Sequence, residues 1–181
     1  MTFEPWSVLS EEIPFENRWI QVRIEQLRLP DGREYSYSIV DRPKQGVAVF
    51  LFDEEGRLLL EREYRHPVAQ VVWQVPGGLI DESEMPLVSA QRELREETGY
   101  EAQKWLDLGE FYDNPGLGNA SSRLFLAHHP RKVAEPSWDE AEEIETHWVT
   151  QTWLREAITR GEIVDRVVLA GIGMLWARGL L

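Results

Sequence analysis

Three carboxylates, Glu93, Glu96 and Glu97, stand three and four positions apart within GLIDESEMPLVSAQRELREETGY, residues 78–100. Side chains three or four apart share one face of a helix, so a helix here would bring all three together. Acidic runs are most often solvated helix faces. Here, however, like charges at such spacing cost a few tenths of a kcal/mol per pair, and an added cation would relieve that cost. Hard oxygen donors of this kind suit Mg²⁺ or Mn²⁺, ions that keep several waters and share oxygens with phosphates. Arg92 points elsewhere on the same helix and is placed to reach back to Glu84, tying the preceding loop to the helix.

The elements that must position these groups are partly legible. Pro86 suits the first turn of a helix, Ser83 or Glu84 falls near the capping position, and Gly99 offers a left-handed stop. Leu87, Val88, Ala90 and Leu94 would form the apolar stripe of that helix. Ahead of it, Pro76, Gly77 and Gly78 force a bend in which the bare backbone can approach a ligand or metal. Strands are expected over 46–52, 57–64, 71–75, 105–111, 122–128 and 143–149, and helices over 150–160 and 165–178, the second capped by Asp165. The sum is a mixed α/β (α+β) fold, with a mixed sheet sandwiched between helices. Residues 1–42 differ: alternation from Trp19 to Leu29, a turn at Pro30–Gly32 and a return over 34–40 describe an antiparallel strand pair. Such a pair is marginal alone and needs a partner surface, so 1–42 is expected to be an extension and 43–181 the main domain.

A chain of 181 residues with eight tryptophans supports a buried core. Its net charge of −13 argues against nucleic acid or anionic membranes as partners. The absence of cysteine removes disulfides, thiol catalysis and thiolate metal sites and fits a cytoplasmic protein. The start of the chain lacks the basic and apolar regions of a signal peptide, and the apolar run 167–176 is half a membrane span. None of the four histidines has ligand spacing to a second, and Gly171–Gly173 lacks the third glycine of a dinucleotide turn.

The stretch 78–100 resembles the Nudix hydrolase box, a glycine, five residues, a glutamate, seven residues, then Arg-Glu-apolar-any-Glu-Glu-any-Gly-apolar, and fits at every defined position. The resemblance implies a Nudix fold that hydrolyses nucleoside diphosphates linked to another group. It implies Mg²⁺, or Mn²⁺, held by Glu93, Glu96, Glu97 and the Gly77 carbonyl, with Glu84 and Arg92 shaping the loop and helix and Gly78 bordering the substrate. The EYRHP segment, the VPGG bend and Pro115, sixteen residues after Gly99, resemble the ADP-ribose and ADP-sugar pyrophosphatase branch. That resemblance implies a homodimer built through the N-terminal strands and ADP-ribose going to AMP and ribose 5-phosphate.

In that branch Arg65 is implied to contact the diphosphate, Trp19 and Tyr37 to sandwich the base, and the loop at Pro115, Gly116 and Leu117 to border the substrate. Stacking grips any purine, so it does not separate adenine from guanine. Ala120 stands roughly where bacterial ADP-ribose enzymes often carry a glutamate. The PGL loop here is closer to the human-type enzymes, and that resemblance implies a glutamate from a later loop near the attacking water; the acidic run 139–145 holds the candidates, Glu142 and then Glu143. A GDP-sugar substrate is the alternative within enzymes, and a silent nucleotide-sugar sensor the alternative outside them.

Overall fold

A computed structural model describes residues 4–138 and 143–181. The chain forms two units, one built from the residues up to Gln45 with 112–121, the other from 46–111 with 122–181.

The first unit is a three-stranded antiparallel sheet in the order β1 (Ser7–Glu16), β2 (Gln21–Arg28), β3 (Glu34–Asp41). The β2–β3 register runs unbroken from Gln21↔Asp41 to Arg28↔Glu34. Gly32 closes the hairpin with a positive φ that a side chain would resist. Two expectations need correction. Trp19 is not in a strand: the Asn17 Oδ1 accepts the Trp19 and Ile20 N–H groups at 2.8 and 2.9 Å, making a turn before β2 begins. A third strand, β1, precedes that turn; it is exposed throughout, and its register slips between Val8 and Ser10 and between Glu12 and Phe15. Pro14 falls in the second slip, as a proline on an edge strand should. The 112–121 loop is sewn to β3, since Val40 donates its N–H to the Leu117 carbonyl at 2.9 Å. A Cβ at Gly118 would run into the Val40 carbonyl.

The second unit is a mixed sheet, β4 (Gly46–Phe52), β5 (Leu58–Arg65), β6 (Gln70–Gln74), β7 (Tyr100–Tyr112) and β8 (Ser121–Lys132), in the order β6-β5-β4-β8-β7, with β9 (Ile144–Val149) on β5. β4 and β8 run parallel; β5 runs antiparallel to β4, β6 and β9. Because strand side chains alternate, the apolar run of β4 serves two layers. Ala48, Phe50 and Phe52 pack with α2 (Gln151–Thr159) and α3 (Arg166–Ala177) through Leu154, Val168 and Leu175. Val47, Val49 and Leu51, with Leu59 of β5, pack against Ala90 and Leu94 of α1 (Pro86–Thr98). The expected sandwich of a sheet between helices is what forms. Asp165 caps α3 by accepting the Val167 and Val168 N–H groups at 2.9 and 3.0 Å. Gly171 has a packing role: a Cβ there would fall inside the Phe50 ring.

Candidate active site

The glutamate helix α1 starts and stops where local chemistry dictates, with Pro86 in its first turn and Gly99 left-handed at φ 74°. Its N-cap is Met85, which makes no side-chain capping bond, and neither Ser83 nor Glu84 fills that role. Glu84 is used otherwise. It accepts the Ser89 hydroxyl at 2.6 Å and the Arg92 Nη2 at 3.2 Å, holding the entry loop to the helix. The buried stripe is also narrower than expected. Ala90 and Leu94 are buried with Ser89, Glu97 and Thr98, whereas Leu87 and Val88 are exposed.

The two glycines ahead of α1 serve close packing. The Gly78 carbonyl accepts the Val47 N–H at 2.9 Å and the Pro76 carbonyl the Val49 N–H at 2.8 Å, so the bend lies along β4. A side chain at Gly77 would strike the Val47 carbonyl, and one at Gly78 would fall on the Glu93 carboxylate. Buried Glu97 accepts the Gly77 N–H at 2.7 Å. Glu93 and Glu96 both face one cation already: Arg92 Nη1 donates to Glu93 Oε1 at 2.9 Å and to Glu96 Oε2 at 3.1 Å. Burial opposes the Arg92 charge, but Glu84, Glu93 and Glu96 outweigh it and raise its pKa. The Ser89 hydroxyl, followed by Arg92, lowers the Glu84 pKa.

Behind the helix, the segment after β8 is strapped to its C-terminal end. Ser137 donates its N–H to the Glu96 carbonyl at 2.8 Å, and the Trp138 indole donates to the Glu97 carbonyl at 2.9 Å. A cavity of about 640 Å³ lies between this segment and α1, lined in part by Arg92, Arg95, Glu96 and Trp105.

Arg65 ends β5. Leu59, Glu61, Glu63 and Arg65 alternate onto one face of the sheet, the face on which Leu59 packs with α1. The Arg65 Nε donates to Gln74 Oε1 at 3.0 Å, and its Nη1 lies 3.0 Å from Glu63 Oε1. Gln74 and Glu63 carried no signal as site residues in the sequence; the polar break in the otherwise apolar run LLLEREYR was the available clue.

Tyr37 lies on β3 with Trp6 and Tyr35 against its ring, and donates its hydroxyl to the Gly116 carbonyl at 2.8 Å. Trp19 sits in the turn beyond the Gln21↔Asp41 end of the strand pair, whereas Tyr37 lies inside the pair opposite Glu25. The Arg18 guanidinium stacks over the Trp19 ring at 4.5 Å. The loop holding Pro115, Gly116 and Leu117 is tied to β3, with Leu117 exposed at its tip. Glu142 lies outside the described residues. Glu143 is exposed and precedes Ile144, the register partner of Glu63.

Among the described residues, no three His, Asp or Glu side chains are gathered as a ready metal-ligand set. The donors nevertheless fit a divalent ion in kind. They are carboxylate oxygens, two of them already turned to a shared positive charge, and glycine at 78 leaves room for the Glu93 carboxylate against the bend. A cation held there would share Glu93 and Glu96 with Arg92. A glycine bend bonded to β4 and leading into a carboxylate-bearing helix is an arrangement that can serve hydrolysis of an anionic group.

The NUDIX domain model matches residues 42–170, and a second model, the nucleoside diphosphate sugar hydrolase N-terminal domain, matches residues 6–40. The chain belongs to the Nudix family. It is 30% identical to an ADP-ribose pyrophosphatase of Mycobacterium tuberculosis, over 95% of this chain and 84% of that one. It is 29% identical to the CMP-5'-(N-acetyl-N-hydroxy-3-aminopropyl)phosphonate hydrolase of Streptomyces rubellomurinus, over 97% of this chain and 83% of the relative. A crystal structure of an ADP compounds hydrolase superposes over 100% of both chains with a TM-score of 0.88 at 18% identity, a likeness of fold.

Proposed function

We propose that this Nudix hydrolase cleaves the diphosphate of ADP-ribose, giving AMP and ribose 5-phosphate. The observation that carries the reading is the placement of a guanidinium, Arg65, on the same sheet face that packs against the glutamate helix. A diphosphate linking two organic groups asks for such a combination of anion grip and carboxylates. The similarity to an ADP-ribose pyrophosphatase along most of the chain supports the choice of substrate.

Glu93, Glu96, Glu97 and the Gly77 carbonyl would hold the divalent ion, Mg²⁺ or Mn²⁺ by the hardness of these donors. When bound, such an ion neutralises charge building on the phosphoryl oxygens and acidifies a bound water. The chain's own share is orientation. Arg92 releases or retains Glu93 and Glu96, the Gly77 amide fixes Glu97, and Arg65 holds the diphosphate. Glu142, or Glu143 beside it, supplies the base in this proposal. Replacing Glu97 with Gln is expected to lower kcat at least about 100-fold with an unchanged circular dichroism spectrum; near-normal turnover in that variant would remove the carboxylate assignment.

The assembly we propose is a cytoplasmic homodimer. Val8, Leu9, Ile13 and Phe15 leave β1 with exposed apolar surface suited to a second copy. In that dimer Trp19 and Tyr37 would hold one base between them, each supplied by one subunit.

A second reading, another nucleoside diphosphate derivative such as a GDP-sugar or a cytidylyl compound, draws on the similarity to the CMP-phosphonate hydrolase. A Mg²⁺-dependent hydrolysis screen over ADP-ribose, GDP-mannose, NADH, diadenosine polyphosphates and a CMP ester decides between them. The first reading requires ADP-ribose to give the highest kcat/KM. No turnover of any of them would leave a nucleotide-binding sensor.

A further inference from the structure

We infer that Gln74 and Glu63 are positioning residues that preset the Arg65 guanidinium for an anionic group; this rests on the assignment of Arg65 to the substrate diphosphate. The three side chains close a ring. Arg65 Nε donates to Gln74 Oε1 at 3.0 Å, Gln74 Nε2 donates to Glu63 Oε2 at 2.5 Å, and Glu63 Oε1 receives Arg65 Nη1 at 3.0 Å. The burial is one-sided: the Glu63 side chain is 8% exposed and that of Arg65 48%. The inner pair is thus enclosed while the guanidinium reaches solvent.

Each member needs the others. A carboxylate this buried is stable only with a charge partner and filled lone pairs. The Gln74 amide, with an acceptor on one side and donors on the other, links Arg65 to Glu63 in a way that neither a carboxylate nor an apolar side chain at 74 can reproduce. Held at Nε and Nη1, the guanidinium loses the rotamer freedom that a surface arginine would have to give up on gripping an anion. Strand register makes the ring possible: Gln74 lies opposite Glu61 and diagonal to Glu63 on one sheet face. From Gln74 the backbone runs three residues to Gly77, whose amide fixes Glu97. One short segment therefore carries both the Arg65 orienting group and a contact to the catalytic carboxylates.

The test compares ADP-ribose hydrolysis at saturating Mg²⁺ by the full chain and its Gln74→Leu, Glu63→Gln, Arg65→Ala and Gln74→Leu/Arg65→Ala variants. Losing one hydrogen bond to a charged group is expected to raise KM about tenfold in Gln74→Leu and in Glu63→Gln. We expect kcat to move less than about threefold, because the ring acts on binding. In the Arg65→Ala background, Gln74→Leu is expected to add less than about twofold, a non-additivity that a merely structural residue would not show. An unchanged KM in Gln74→Leu, or the same factor with and without Arg65, overturns the inference. If Gln74→Leu fails to fold by circular dichroism, Gln74→Met is read in its place with the same expectation. An unchanged KM in Arg65→Ala overturns the ring's role and the Arg65 assignment, leaving the hydrolytic reading intact. If the wild-type chain neither turns over ADP-ribose nor binds it calorimetrically, the proposed function fails and takes the inference with it.

Discussion

At the scale of single residues, the candidate site is a set of carboxylates with two kinds of partner: a backbone amide on Glu97, and Arg92 on Glu93, Glu96 and Glu84, the last of which also accepts from Ser89. The spacing of Glu93, Glu96 and Glu97 was legible because helical neighbours follow from sequence separation alone. Their partners were not. Gln74, Glu63 and Ser89 reach the site through strand register and loop closure, and nothing in a local pattern announces either. The Glu84 contacts have a pH consequence. Its folded pKa is depressed below 4.5, so protonation is easier in the unfolded chain, and the stability it contributes is present above that value and lost as pH falls through the folded pKa. Glu84→Gln should therefore flatten the loss of stability on acidification below about pH 4.5. Urea midpoints measured from pH 6 to pH 3 check this; parallel curves for both proteins would count against it.

At the scale of elements, Pro86, Gly99 and Asp165 were readable as helix ends because each acts on its own backbone within a turn, whereas the expected caps Ser83 and Glu84 give way to Met85. β1 was illegible for the opposite reason. An exposed edge strand with two register slips and an internal proline has no alternation to detect. Trp19 was assigned to a strand because the alternation continues through it, although Asn17, a strong turn former, was already signalling the boundary. Gly171 shows how an element can be fixed by one missing side chain, as α3 lies against Phe50 at that point. Gly171→Ala should destabilise the fold by about 1–3 kcal/mol despite alanine's better helix propensity. A lowered denaturation midpoint checks it, and a midpoint equal to or above the wild type would show that Phe50 yields without cost.

For the whole molecule, composition set useful bounds, and the mixed sheet between helices followed from the order of elements. What sequence left out is one segment of the division into units. The 112–121 loop belongs with the N-terminal sheet, a hundred residues from its start, because its backbone completes the hydrogen bonding of β3. The proposed dimer is tested at this scale. Sedimentation should give about twice the chain mass of 21.1 kDa, and Val8→Lys with Phe15→Lys should return the monomer. A monomeric wild-type protein at micromolar concentration would exclude it.

The tie between Trp138 and the Glu97 carbonyl makes the glutamate helix observable by light. An indole with one hydrogen bond to the backbone of a carboxylate residue, and 42% exposed, has an emission sensitive to any movement of that turn. Titrating Mg²⁺ into the wild type and into Trp138→Phe should give a difference spectrum belonging to this one chromophore among the eight tryptophans. If the difference is flat, cation uptake leaves the last turn of the helix still; if it shifts, the strap and the carboxylates move as one body.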